Sequence, residues 1–313
     1  MESLQVFVRV RPPIFREVKL NTAISITSDR ALTLVDEKRE TQCSYDHIFS
    51  EVAQQEEIFE KIKPLLVDVL SGVNSCIFAY GQTSAGKSYT MIGPNGGQDI
   101  GGNHDWGILP RASEFLLGYL NEKSKEGGLT YDVKASFLQI YNENLYDLLR
   151  DSGPMIEDKL LEKEKDSMKI REVPKQKSKR AGVAEVWVSG LSEYRVQTSE
   201  DILRILAVGT NNRMTRSTDF NATSSRSHAL LQIETHSDSG QTVINRSKLN
   251  LVDLAGSEKI PYVKSQFNTS KHMKELTSIN KSLSSLGNVI AALSSNNRSH
   301  IPYRDSKLTR ILQ

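Results

Sequence analysis

Apolar and polar positions alternate along the chain with two different periods. From Leu4 to Val10, β-branched and aromatic residues interleave with polar ones before Pro12-Pro13, which predicts a strand. From Glu56 to Leu70 the period lengthens. Ile58, Ile62, Leu65, Leu66 and Val69 fall on one helical face that Gly72 ends, and Pro64 predicts a kink or break within it. Residues 75–80, "DVKASFLQIY" and "KLNLVDL" read as buried strands. "TSEDILRILAVG" opens with a capping-box spacing, Thr198 to Asp201, and is expected to close at Gly209. "INKSLSSLGNVIAAL" sets Ile279, Leu283, Leu286, Ile290 and Leu293 in a helical stripe, whose ordinary role is core contact.

Two stretches interrupt this order. Gly93 to Gly107 holds six glycines and reads as a flexible loop. Residues 157–180 are dense in charge and end in "PKQKSKRAG", which predicts a solvated loop or insertion. With no internal repeat and no long polar linker, the strand–helix alternation predicts one three-layer α/β domain. Composition changes this picture little: 38% hydrophobic and 25% charged residues are ordinary for a soluble protein, and the net charge of +2 names no partner. Two cysteines, Cys43 and Cys76, offer neither a disulfide framework nor a metal spacing, and Cys76 reads as a buried free thiol. No apolar stretch is long enough to span a bilayer, and "MESLQVFVRVRPP" lacks the apolar region of a secretory signal. The expectation is an intracellular protein with no membrane contact by this domain.

Candidate chemistry begins after the run 75–80. "GQTSAGKS" fits G-x-x-x-x-G-K-[ST], a loop that cradles nucleotide phosphates. Gly81 and Gly86 permit a backbone that turns successive N–H groups toward an anion. Lys87 is placed to reach the β- and γ-phosphates, and the Ser88 hydroxyl to ligate Mg²⁺. Two later stretches supply what a phosphate cradle needs in order to sense the γ-phosphate. "VDLAGSE" sets Asp253 at a strand end, where it would hold the Mg²⁺ shell through water, with Gly256 offering a backbone N–H. "NATSSRSH" clusters the hydroxyls of Ser224, Ser225 and Ser227 around Arg226.

Taken together and in this order, "GQTSAGKS", "NATSSRSH" and "VDLAGSE" resemble the nucleotide loop and two switch segments of the kinesin motor domain. "VFVRVRP", "FAYGQT", "GILPRA", "FLQIYNENLYDLL", "GTNNR", "INKSLSSLGNVIAAL" and "HIPYRDSKLTRIL" extend the likeness from residue 4 to the last. The resemblance implies a phosphate-loop fold: three layers, with a central mixed, mostly parallel sheet flanked by helices on both faces. It implies ATP as substrate, ADP as product and Mg²⁺ as cofactor, held by Ser88, Ser225 and, through water, Asp253. The loop Gly81, Gln82, Thr83, Ser84, Ala85, Gly86, Lys87 and Ser88 would hold the phosphates, with Ser224 and Asn221 contacting them. Arg9 and Pro12 would line the adenine pocket, and Tyr89 would stack on the base. Arg226 would pair with Glu258 when ATP is bound, organising the attacking water, and Asn280 would help fix that arrangement.

The resemblance also implies a track, the microtubule of αβ-tubulin. The sequence is suited to an acidic partner: Lys259 to Arg310 holds nine basic residues against Glu275 and Asp305, so this segment is +7 and the remainder −5. The implied contacts are Lys264, Lys271, Lys274, Arg298, Tyr303, Arg304, Lys307 and Arg310. The basic insertion adds Lys175, Lys177, Lys179 and Arg180. A cytoplasmic, cytoskeletal location follows from the same likeness.

The pattern departs from the family in three places. "KIPYVKSQFNTSKHMK" lacks a small, glycine-rich stretch after Glu258, and Ser88 stands where threonine is more frequent. Kinesin motor domains usually continue through a further strand, a last helix and a neck linker after the point where this chain ends at "LTRILQ", and any dimerisation would use segments beyond it. The main reading is a microtubule-stimulated ATPase; the alternative is a nucleotide-binding microtubule anchor that hydrolyses weakly or not at all. A GTPase is disfavoured because "NKSL" at 280–283 lacks the aspartate of N-K-x-D. A nucleic-acid partner is disfavoured because no aromatic-interleaved basic groove is present.

Overall fold

The computed structural model of the 313-residue chain describes residues 4–15, 17, 23–36, 39–94, 103–127, 129–150, 160–162, 168–173, 185–220, 224–238, 244–258, 270–295 and 300–313. Two compact units emerge, Met1–Lys61 and Ile62–Gln313. The first contains β1 (Phe7–Arg9), β2 (Ile24–Ile26), β3 (Ala31–Asp36), β4 (Arg39–Ser44) and β5 (His47–Phe49). β1 pairs in parallel with β5, and β2, β3 and β4 form an antiparallel meander. The strand expected over Leu4 to Val10 shortens to β1.

α1 (Gln55–Leu70) runs through Pro64 as one helix, so of the kink or break expected there the break does not occur. Pro64 sits on the exposed side while Ile58, Ile62, Leu66 and Val69 are buried. One backbone bond is therefore lost on a water-facing side, and the apolar stripe keeps the helix whole.

The second unit continues with β6 (Ser75–Ala79), α2 (Lys87–Met91), α3 (Ile108–Lys125), β7 (Thr130–Tyr141), β8 (Asn144–Asp147), β9 (Leu160–Glu162), β10 (Lys169–Val173) and β11 (Glu185–Ser189). β12 (Glu193–Val196), α4 (Ser199–Phe220), β13 (His228–Asp238), β14 (Ile244–Asp253), α5 (Ser270–Ser294) and α6 (Lys307–Ile311) complete it. Its seven-stranded sheet has the order β6-β14-β13-β7-β12-β9, with β8 paired to β7. The sheet is mixed, but the expected mostly parallel pairing is not found. Among the described pairings of this sheet only β6/β14 is parallel. The connections explain this. β13 and β14 are separated by only five residues, and Asn142 and Glu143, with φ of 49° and 56°, turn β7 directly into β8. Such short links can join only antiparallel neighbours.

β7 and β13 are buried almost continuously, as strands covered on both faces are. On one face Leu138, Ile140, Leu230 and Val252 pack with Leu286 of α5, Leu308 and Ile311 of α6, and Val188 of β11. On the other, α3 and α4 pack against β7 and each other. The capping box forms as expected: Asp201 N–H donates to Thr198 Oγ1 and Thr198 N–H to Asp201 Oδ2. Gly209, however, does not close α4. A Cβ there would lie 2.1 Å from Phe137 Cδ1, so this glycine lets helix and sheet approach, and the helix runs on to Phe220.

The charged insertion is not all loop, since it contributes β9 and β10, and β10 pairs with β11. α5 begins at Ser270, nine residues before the expected start near Ile279. The glycine-rich stretch lies partly outside the described residues. At its ends Gly107 donates to Ile92 O, and a Cβ on Gly107 would overlap the backbone there. Cys76 packs against the core, and burial pushes its thiol up to about 12. No helix among the described residues is long and apolar enough to cross a membrane.

Candidate functional site

Register gathers the site. Ala79 at the end of β6 faces Asp253 at the end of β14, and Asp253 faces Ala229 at the start of β13. Three loops therefore leave the sheet at one level: the phosphate loop, the segment after Asp253, and the turn before His228. In open α/β sheets such carboxyl ends of strands are where ligands sit.

The phosphate loop takes the backbone its glycines permit, with φ of 154° at Gly81 and 93° at Gly86, and Ser84 is also left-handed at 63°. Lys87 Nζ donates to the carbonyls of Gly81 and Gln82, both at 2.9 Å. Burial is the main cause that lowers its pKa from the ordinary lysine value; Asp253 and Glu258 oppose that and Arg213 adds to it. Ser88 Oγ donates to Asp253 Oδ2 at 2.7 Å, a direct bond between two residues expected to meet through a metal's water. Arg213 of α4 donates to the same Oδ2 at 2.7 Å and to Ser227 O at 2.9 Å, with both partners of the ion pair buried.

The three loops are stitched together by backbone. Gly256 N–H donates to Ser225 O at 2.7 Å, and Ser257 N–H to Gly81 O at 3.1 Å. The Gly256 N–H expected to meet a phosphate is thus engaged by Ser225. A Cβ on Gly256 would overlap the Glu258 carboxylate and Thr83 Oγ1. Glu258 accepts from Thr83 N–H at 2.8 Å and from the Thr83 hydroxyl. Burial pushes its carboxyl up, but these bonds, its own amide and Lys87 together hold it below the ordinary carboxylate range.

The expected pairing of Arg226 with Glu258 takes another form. Arg226 Nη1 donates to Glu275 Oε2 of α5 at 3.0 Å, with Glu275 buried, while Glu258 is turned toward the phosphate loop. Two carboxylates thus flank this junction, and the arginine is with the one on the helix.

Other expected residues distribute as follows. Ser224–Arg226 forms a single 3-10 turn, and Asn280 is half-buried on α5. Arg9, within the first unit, donates to Gln55 Oε1 and Ala53 O; Pro12 is exposed, and Tyr89 on α2 is 39% exposed. Lys271 and Lys274 lie in the first turns of α5. Tyr303 is half-buried in a 3-10 turn, and its carbonyl accepts from Thr309 Oγ1. Arg304 and Arg310 approach Glu172 of β10 at 3.0 and 4.0 Å, and Lys307 N–H donates to Glu143 Oε2. Asn221, Lys175, Lys177, Lys179, Arg180, Lys264 and Arg298 lie outside the described residues.

Sequence reasoning missed three site residues: Glu275, the partner of Arg226, and also Arg213 and His228. Arg213 continues the buried stripe of α4 after Ile202, Leu206 and Gly209, which is the signal that could have found it. His228 is buried between the loops. Its Nδ1 accepts from Ala255 N–H at 3.1 Å, so Nε2 carries the proton toward Ser282 Oγ at 2.8 Å. Ser282 in turn donates to Ile279 O, linking the Asp253–Gly256 segment to α5. Burial, with Arg213 and Lys87 nearby, lowers the imidazole to about 3.

Comparison with known proteins bears on this arrangement. Residues 9–313 match the family model described as the kinesin motor domain. The chain belongs to the kinesin motor-domain family. It is 37% identical over 313 residues to kinesin-related protein 5 of Dictyostelium discoideum, covering 99% of this chain and 29% of the relative. Kinesin-like protein KIN-14P of Arabidopsis thaliana is 36% identical over 318 residues, covering 99% and 28%. The chain thus spans under a third of these kinesins' length. Among solved structures, a fast kinesin described for its ATPase mechanism and interactions with microtubules has a TM-score of 0.81 at 34% identity, covering 99% of this chain and 81% of that one. The motor domain of the Kar3-like kinesin from Ashbya gossypii has a TM-score of 0.75 at 30% identity, covering 99% and 87%. Kinesin motor domains are, as a family, ATP-dependent microtubule motors of the cytoskeleton.

Proposed function

We propose that this kinesin motor domain is a microtubule-stimulated ATPase. It hydrolyses ATP to ADP and phosphate and couples the γ-phosphate state to microtubule affinity and movement. The observation that carries the reading is the convergence of the phosphate loop, Asp253–Glu258 and Ser225–Arg226 on one strand-end level, joined by Ser225 O–Gly256 N and Gly81 O–Ser257 N. A change at any one of these loops is then felt by the others.

The donor set fits Mg²⁺. Ser88 and Asp253 are hard oxygen ligands already in contact, and the buried Asp253 Oδ1 has no hydrogen-bond partner among the described residues. Ser88, Ser225 and Asp253 would hold the ion, and when bound it supplies charge neutralisation at the phosphates. Within the chain, Arg213 fixes the Asp253 carboxylate, and Lys87 brings positive charge to the loop. Glu258, ionised and beside the loop, exchanges Thr83 for Arg226 to complete the water-positioning pair. Phosphoryl transfer asks mainly for positioning and charge, so such an exchange can gate turnover.

The cytoskeletal partner is the microtubule, met through α5, α6 and the basic segments around them, in the cytoplasm. The anchor reading, with weak or no ATPase, draws on one observation: Arg226 and Glu258 have other partners here. Phosphate release measured with and without microtubules separates the two. Glu258→Ala is expected to bind ATP nearly as well as the parent while losing steady hydrolysis; undiminished turnover in that variant refutes its role.

A further inference from the structure

Arg226 and Glu258 lie one and two residues from a shared backbone bond, Ser225 O to Gly256 N at 2.7 Å, so they are neighbours by construction. Each is nevertheless held by a different element. Arg226 reaches Glu275 on α5, and Glu258 reaches both the amide and the hydroxyl of Thr83 on the phosphate loop. We infer that Glu275 and Thr83 are positioning residues that keep the two halves of the proposed catalytic ion pair apart until α5 and the phosphate loop release them. This rests on the ATPase reading above and names the regulation of that site.

The placement of Glu275 is what a restraint requires and a packing residue does not. It occupies a position of the buried stripe that continues through Ile279, Ser282 and Leu286, where an apolar side chain would pack without desolvating a charge. A carboxylate there is compensated by Arg226, and the Tyr141 hydroxyl lies against it. Burial first, and then the Glu275 contact, push that phenol up to about 12. Moving Arg226 from Glu275 to Glu258 takes the compensating charge off the buried Glu275 carboxylate, so the exchange needs α5 to shift and open that carboxylate to water.

α5 is also the helix that carries Lys271, Lys274 and Lys281, part of the segment suited to an acidic partner. A partner that displaces α5 displaces Glu275 with it and delivers Arg226 to Glu258. Binding to this helix thereby becomes completion of the site that Glu275 holds open.

The test uses the full chain with two readouts. One is phosphate release without and with microtubules. The other, which needs no turnover, is the ratio of the Kd for ADP to that for a non-hydrolysable ATP analogue. Glu275→Gln is expected to raise both the microtubule-free rate and the Kd ratio about fivefold, the shift that loss of a partly exposed ion pair produces. The microtubule-saturated rate should move less than twofold. Adding Glu258→Gln should abolish the gain, whereas a generally loosened fold would keep it. Thr83→Ala should raise the Kd ratio and Thr83→Ser should not. Where Glu275→Gln does not fold, Tyr141→Phe is expected to raise the same ratio about twofold, by weakening one hydrogen bond to the carboxylate. An unchanged Kd ratio in the folded variants overturns the inference even if the parent is an active ATPase. A parent without turnover overturns the ATPase reading, while a raised ratio still supports the restraint.

Discussion

Replacing Arg213 with methionine leaves Asp253 as a carboxylate in a site where its side chain is 6% exposed. At 2.7 Å the pair attracts by ~6 kcal/mol at an effective dielectric of about 20, and burying the two ions costs several kcal/mol each. The intact pair is therefore nearly balanced, and most of the damage comes from the charge left behind. Breaking such a pair from one side costs about 3–5 kcal/mol. Ser88 still donates to Asp253, which places Arg213→Met near ~3 kcal/mol at the low end of that range. For a chain of this size that corresponds to roughly 6–12 °C in melting temperature. Circular dichroism melts at fixed protein concentration, without nucleotide, measure it. Asp253→Leu added to Arg213→Met should recover part of the loss, because the orphaned charge is gone. A fall of under ~1 kcal/mol in the single variant, or a double variant no better than the single, would refute the reasoning.

Two further outcomes follow from packing and protonation. Gly209→Ala drives a methyl into the Phe137 ring and should destabilise by about 1–3 kcal/mol, with Phe137→Leu restoring part of it; an additive double variant would contradict the contact. His228 is neutral when folded down to about 3, while the unfolded imidazole gains a proton below about 6.5. The unfolded state therefore binds more protons in that window, so His228's contribution is complete above pH ~6.5 and is lost as pH falls, by up to ~1.4 kcal/mol per unit. Urea midpoints between pH 7 and pH 5 should fall more steeply for the parent than for His228→Gln; parallel slopes would exclude His228 as the source.

The parts of this molecule legible in its sequence are those set by local pattern. The strand before "GQTSAGKS", the cap at Thr198 and the stripe of α5 are periodicity and turn chemistry. What was not legible depends on meetings across the fold. Gly209 reads as a helix end until Phe137 of β7 is seen beneath it. Arg213 and Glu275 stand as charged residues in amphipathic helices, although Arg213 follows the buried Ile202, Leu206 and Gly209 in phase and Glu275 precedes the buried Ile279, Ser282 and Leu286 in phase. A charge in phase with a buried face was the available signal, and helix pattern alone does not say which partner neutralises it. The mostly parallel sheet was carried over from the family likeness, whereas the short link between β13 and β14 favours hairpin pairing.

The two carbonyls that hold Lys87 also set a threshold for entry. Gly81 O and Gln82 O already satisfy two of the ammonium's three donors, so an anion gains little by presenting a single oxygen there. Only a chain of linked phosphates, able to engage the loop amides and the lysine at once, offers more acceptors than the protein supplies to itself. In the proposed nucleotide-binding role, this competition from the loop's own backbone would favour linked phosphates over single small anions.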